Sequence, residues 1–170
     1  MPGDEPTAAR VRATGRATGA TNPAVVWIDG GARGNPGPAG CGVVIELADG
    51  HHEEHTVFLG VATNNEAEYA GLIAALTRAV ALGIDSVEVR SDSELLVRQI
   101  TGKYRVKAVN LQPLWLRARE LASHFDRFAI RHVRRAENAL ADRLANVAMD
   151  SGRSTLAAPP RTVRTARERA

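Results

Sequence analysis

An α/β domain built on a mixed five-stranded sheet is predicted by three features of the 170-residue sequence. Val25, Val26, Trp27 and Ile28 form an apolar run without alternation, the pattern of a strand buried on both faces. Two further strand-like stretches, joined by Ala48-Asp49-Gly50, follow as a hairpin, so the first three strands are antiparallel. Beyond residue 62, helical and strand-like periods alternate, which implies a right-handed crossover and parallel pairing of a later strand with the first.

The first strand delivers Asp29 and then breaks into Gly30-Gly31-Ala32-Arg33-Gly34-Asn35-Pro36-Gly37. Two readings of Asp29 stay open at this point. It opens a turn, or it is a carboxylate with a task, since burying it at the end of an apolar strand is costly without a cation or donors. Residues 40–47 form the second strand and residues 52–61 the third. Cys41, the single cysteine, reads as a small buried apolar residue and excludes both an internal disulfide and a cysteine cluster for zinc. His51, His52 and His55 straddle the hairpin as ordinary surface histidines.

A helix follows, with Thr63 or Asn64 as its N-cap and Gly83 as its stop. Tyr69, Leu72, Ile73, Leu76 and Val80 mark its buried face, while Glu66 and Glu68 suit the positive end of its dipole. Glu68 lies on the flank of that face and leans toward a strand end. Residues 86–92 read as a short alternating strand ending in Asp92, and residues 93–100 as an amphipathic helix. Taken alone, Asp92 reads first as an N-cap of that helix. Lys103, Tyr104, Arg105 and Lys107 then make a basic loop that either grips phosphates or is simply solvated. Residues 111–125 form another helix with Pro113 in its first turn, and residues 128–133 the last strand. After a turn over residues 134–138, a terminal helix carries Asp142 early, with Leu140, Leu144, Val147 and Ala148 as apolar contacts.

Hydrophobic residues make up 44% of the chain and charged residues 24%, which fits one soluble domain. That domain is placed at residues 24–150, between a disordered leader (1–23) and a disordered basic tail (151–170). The net charge of +3 divides into +1 for residues 1–24, +4 for residues 151–170 and −2 for the remainder. A nucleic-acid partner therefore does not follow from overall charge. No apolar stretch approaches the roughly 20 residues needed to cross a bilayer, and no signal peptide core is visible, so the expectation is a cytoplasmic protein without membrane contact.

Four carboxylates, Asp29, Glu68, Asp92 and Asp142, thus stand at strand ends or early helical turns of four elements. In an open α/β sheet such positions converge near a switch in strand order. Converging like charges repel unless a divalent cation neutralises them, and an all-oxygen ligand set favours Mg²⁺ or Mn²⁺. Two such ions about 3.5 to 4 Å apart are the apparatus of in-line attack on a phosphodiester.

The stretches Asp29 to Gly37, Thr63-Asn64-Asn65-Glu66-Ala67-Glu68, Ser91-Asp92-Ser93 and Glu137-Asn138 through Asp142 resemble, in order and spacing, the motifs of type 1 ribonuclease H. The resemblance covers about residues 25–149. It implies the ribonuclease H-like fold, with strand order 3-2-1-4-5 and helices on both faces. It also implies a monomeric endoribonuclease in which Asp29, Glu68, Asp92 and Asp142 bind two Mg²⁺ ions, with Mn²⁺ as a substitute. Such an enzyme hydrolyses the RNA strand of an RNA/DNA hybrid to 5′-phosphate and 3′-hydroxyl ends. The alternative within the same fold is a catalytically silent module that only binds the hybrid.

By the same resemblance, Gly34, Asn35, Asn64 and Asn65 match positions that touch the hybrid in the minor groove. Glycines let the backbone approach, and amides both donate to and accept from a 2′-hydroxyl. The family's basic helical protrusion has no room between Gly102 and the helix near Leu111, so Lys103, Arg105 and Lys107 are candidates to replace it. Two residues stand for the loop histidine that many members carry before the last carboxylate. His132 matches by its distance from Asp142, and Arg135 by its place in the turn.

Overall fold

The computed structural model describes residues 22–161. Its elements in order are β1 (Ala24–Ala32), β2 (Gly37–Glu46), β3 (His52–Ala62), α1 (Asn64–Ala81), β4 (Ser86–Ser91), α2 (Glu94–Ile100), α3 (Gln112–Ala122), β5 (Arg127–His132), a 3₁₀ turn (Arg135–Asn138) and α4 (Ala139–Ser151). One sheet runs β3-β2-β1-β4-β5. Strands β1 to β3 pair antiparallel, and β4 and β5 join in parallel. This is the mixed sheet and strand order expected for the ribonuclease H-like fold.

Successive residues of a strand face opposite sides, and β2 shows what each side receives. Cys41 touches Gly71 of α1, whereas Gly40 and Gly42 meet α4. A side chain at Gly42 would collide with the Ala141 carbonyl, the Leu144 Cβ and the Ala145 backbone nitrogen. The two glycines therefore form a trough, and α4 fits it with its small buried residues Ala141, Ala145 and Ala148. On the other face Val26, Ile28, Val43, Ile45, Val87 and Val89 pack against Leu72, Ile73 and Leu76 of α1 and Leu114, Ala118 and Leu121 of α3. Burying each large aliphatic side chain contributes about 1.5 to 3 kcal/mol, so this two-helix face is the main source of stability.

Two expectations change here. Residues 151–161, expected to begin a disordered tail, finish α4 and then follow the edge strand β3. Thr155 donates its amide to the Thr56 carbonyl (2.8 Å), the Ser154 hydroxyl accepts from the Phe58 amide (2.7 Å), and Arg161 donates to the Val61 carbonyl (2.7 Å). This segment occupies edge groups of β3 that would otherwise invite another strand. Residues 1–21 and 162–170 of the expected leader and tail lie outside the described residues. Of the hairpin histidines, His51 and His52 are exposed as expected, whereas His55 is partly buried. Glu53 accepts from His51, His55 and both Nε and Nη2 of Arg78, and these partners hold its carboxyl well below the usual range.

Candidate active site

The site begins where the sheet divides. Parallel pairing of β1 with β4 ends at Ile28 opposite Ser91, while antiparallel pairing of β1 with β2 continues to Ala32 opposite Ala39. Asp29 is thus not the last residue of its strand, as the apolar run suggested. It is the first residue past the end of the parallel ladder, on the crevice where ligands of open α/β sheets gather. Asp92 stands at the corresponding point after β4. The N-cap reading of Asp92 falls away, because Ser93 caps α2 by accepting from the Leu96 amide (3.2 Å). Asp92 is left to face the crevice.

Glu68 arrives in the first turns of α1. Thr63 is the N-cap and forms a capping box with Glu66, each side chain accepting from the other's amide at 3.1 and 2.9 Å. This locked start of the helix lies directly on β1. A methyl group on Gly30 would collide with the carbonyl of Ala67, and the Gly30 amide donates to the Glu68 carboxylate. Asp142 comes from the opposite face on α4, at a height set by the glycine trough of β2, and its carboxylate acts on that of Asp29. The start of that helix is pinned by Asn138, which is buried and donates its Nδ2 to the Ile28 carbonyl (2.8 Å). Asn138 was not among the residues expected at the site, although Glu137-Asn138 belongs to the motifs. An amide ending a tight turn beside a carboxylate-bearing helix is the signal that could have found it.

Asp29, Glu68 and Asp92 each offer one carboxylate oxygen within 4.8 Å of the other two. Asp142 lines the same cavity, together with Gly30, Gly31, Ala32, Arg33, Asn64, Arg135, Asn146 and Met149. The Asp29 carboxyl is pushed up to about 8, first by burial, then by the charges of Asp92 and Asp142. Glu68 is raised well above the carboxylate range, again first by burial and then by Asp29 and Asp92, with the Gly30 amide and Arg135 acting against the rise. One oxygen of Glu68, Oε2, is buried without a partner. A hard divalent cation satisfies all of these demands at once. It gives Oε2 a ligand, offsets the repulsion, and suits an all-oxygen donor set. The residues present fit a hard divalent cation.

The remaining expected residues divide. Asn35 and Asn64 interlock, with Asn35 Oδ1 accepting from the Asn64 amide (3.0 Å) and Asn64 Oδ1 accepting from the Ala32 amide (2.8 Å). Their side-chain oxygens are thus engaged within the protein. Gly34, with φ of +78°, shapes the same loop, and Asn65 is exposed in the first turn of α1. Arg135 lines the cavity; His132 ends β5 opposite Ser91, exposed, and does not line it. Lys103, Arg105 and Lys107 are exposed on the loop after α2 and do not line it either. That loop is tied down through its backbone, since the amides of Lys103 and Tyr104 both donate to the Arg98 carbonyl. Arg33 and Asn146, not singled out by the sequence, do line the cavity.

Comparison with known proteins agrees with this geometry. A family model described as reverse transcriptase-like matches residues 28–148. A bifunctional protein of Mycobacterium tuberculosis is 49% identical over 137 residues, covering 79% of this chain and 37% of its own length. Ribonuclease HI of Halobacterium salinarum is 47% identical over 125 residues, covering 73% of this chain and 63% of its own length. The chain therefore spans less than two thirds of these relatives. The crystal structure of the Halobacterium enzyme superposes with a TM-score of 0.73, covering 76% of this chain and 99% of that one. A structure of LC11-RNase H1 in complex with RNA/DNA hybrid, 41% identical, superposes with a TM-score of 0.71, covering 76% of this chain and 98% of that one.

Proposed function

The chain belongs to the type 1 ribonuclease H family, and from that premise we propose that it is a divalent-metal-dependent endoribonuclease that hydrolyses the RNA strand of RNA/DNA hybrids. The observation that carries this reading is the convergence of Asp29, Glu68 and Asp92 within 4.8 Å, around a buried carboxylate oxygen without a partner. A module that only binds nucleic acid has no use for such a cluster, because buried like charges raise the cost of folding and repel phosphates.

In this reading Asp29, Glu68, Asp92 and Asp142 hold two Mg²⁺ ions, or Mn²⁺ in their place. When bound, the pair supplies an acidified water and charge stabilisation for in-line displacement at phosphorus, leaving 5′-phosphate and 3′-hydroxyl ends. Asp29 is central because its carboxyl feels the charges of Asp92 and Asp142 and itself acts on Glu68. The Gly30 amide fixes which way the Glu68 carboxylate faces. The loop from Gly34 to Asn35, braced by Asn64 and neighboured by Asn65, presents amide NH₂ groups to the minor groove, where a 2′-hydroxyl distinguishes RNA from DNA. Lys103, Arg105 and Lys107 add salt-sensitive attraction for the hybrid away from the cavity. We place the protein in the cytoplasm as a monomer; none of its described helices is long and apolar enough to cross a membrane.

Of the two candidates in the final turn, Arg135 is assigned the supporting role, since it lines the cavity and its charge acts on Glu68. Arg135→Ala is expected to lower turnover about tenfold, on the scale of losing one charge that stabilises the transition state. His132→Ala is expected to stay within about twofold. The reverse order in single-turnover assays would reassign the role to His132.

The reading is tested by presenting end-labelled RNA/DNA hybrid, duplex DNA and duplex RNA side by side, with Mg²⁺, with Mn²⁺ and with chelator. Internal cuts confined to the RNA strand of the hybrid, and abolished by chelation, are the expected result. Equal cutting of duplex DNA, or cutting that survives chelation, would overturn it.

A further inference from the structure

Arg33 stands at the mouth of the carboxylate cavity, held by groups that a substrate phosphate can replace. Its backbone is fixed, because the Arg33 amide donates to the Pro38 carbonyl (2.8 Å) and the preceding Ala32 amide to Asn64. Its side chain reaches across to α4. There Nη2 donates to Asn146 Oδ1 and to Asp150 Oδ1, both at 2.9 Å. Asn146 is oriented for this by donating its own Nδ2 to the Asp142 carbonyl one turn earlier (3.0 Å). Arg33 and Asp150 are 49% and 67% exposed, so their ion pair is screened by water and weak. A phosphate offers a guanidinium two oxygens in fork geometry and a fuller charge, a better partner than one exposed carboxylate. Among the described residues, the only other cation lining the cavity is Arg135.

We propose that Arg33 grips a phosphate of the RNA strand at the cavity mouth, and that Asp150 holds its guanidinium in the substrate-free protein and is displaced when the strand enters. Asn146 is the positioning residue that keeps the side chain over α4, on the Asp142 side of the cavity. The inference rests on the hybrid-cleaving reading and adds a contact to it, together with a built-in competitor for that contact.

The two residues make opposite predictions. In the Asp92→Asn background, affinity for a fluorescein-labelled RNA/DNA hybrid is read by anisotropy, and turnover is read in the otherwise native protein. Arg33→Gln is expected to weaken binding about tenfold and to raise KM with little change in kcat, the effect of losing one charge-assisted pair. Asp150→Asn is expected to tighten binding about threefold, since an exposed ion pair no longer competes. In the double variant the gain from Asp150→Asn disappears, because its beneficiary is gone. Glu120→Gln makes the same change in net charge on α3, where Glu120 pairs with Arg117, and is expected to leave affinity unchanged. Circular dichroism checks that each variant folds. Tightening by Asp150→Asn that persists without Arg33, or that Glu120→Gln reproduces, overturns the inference while leaving the ribonuclease reading intact. Failure of the otherwise native protein to bind or cleave any hybrid sinks both.

Discussion

Asp29→Asn is expected to abolish cleavage and, in the absence of metal, to make the protein more stable. The Asp29 carboxyl is nearly buried, 8% exposed, and sits beside Asp92 and Asp142, which together with burial carry it from 3.8 to about 8. An acid whose pKa is raised on folding binds more protons in the folded state than in the unfolded one, so folding stability falls as pH rises through the interval between the two values. For the metal-free protein that interval runs from about 4 to about 8. Stability should decline across it, and added Mg²⁺ should restore what is lost at the upper end, because a cation favours the ionised form that burial opposes. An asparagine at position 29 has no charge to desolvate. At pH 8 in chelator its gain should be on the order of 1 to 3 kcal/mol, smaller than the full shift implies because neighbouring carboxylates adjust together. Thermal melts of the two proteins at pH 5 and pH 8, with and without Mg²⁺, read this directly. Equal midpoints at pH 8 without metal would mean that Asp29 is not under electrostatic strain.

Gly30→Ala should be the most damaging single methyl group in the site. The added carbon would meet the Ala67 carbonyl group and the Glu68 backbone nitrogen, atoms of a capped helix that have no rotamer to escape into. Relief requires α1 to lift from β1, which withdraws Glu68 from Asp29 and breaks the amide-to-carboxylate hydrogen bond at once. A loss of about 2 to 3 kcal/mol in stability is expected from overpacking. Cleavage should fall by roughly a hundredfold or more, since a misplacement of about 1 Å at a catalytic group has that scale of effect. The neighbouring Gly31→Ala provides the comparison. Its methyl group would find only Met149 Cε at 3.7 Å and Asn64 Oδ1 at 3.9 Å, ordinary contacts, so its melting temperature should stay near that of the unaltered protein. Denaturant unfolding of the two variants, followed by hybrid turnover, checks both statements. Similar stability for both would show that β1 and α1 do not pack as closely as described.

The sequence was most readable where chemistry is local. The N-cap at Thr63, one of the two offered, the apolar run of β1 and the helical stripe of α1 each follow from neighbours within a few residues, and all three are present, although Val80, counted in the stripe, is 38% exposed. The four carboxylates stood out because the plainer roles open to them, as turn openers or helix caps, are also local and could be weighed one by one. What remained hidden depends on contacts distant in the chain. β1 continues to Ala32 because β2 pairs with it, although Gly30 and Gly31 have no strand preference of their own. Residues 152–161 lie along β3 through hydrogen bonds that span about a hundred positions, and short polar side chains leave no periodic trace of such docking. Arg33 looked like part of a glycine-rich turn, and its reach to Asn146 and Asp150 becomes visible only once α4 is seated in the trough of β2.

The most direct test of the central claim is the rate at which Asp92→Asn cuts the RNA strand of a labelled hybrid in Mg²⁺, set beside its affinity for that hybrid. The substitution keeps the shape of the side chain and removes one of the three carboxylates that converge on the crevice. The account predicts that cleavage falls by at least about a thousandfold while binding changes by less than about threefold, the signature of lost transition-state stabilisation rather than lost recognition. Cleavage at the rate of the unaltered protein would contradict it.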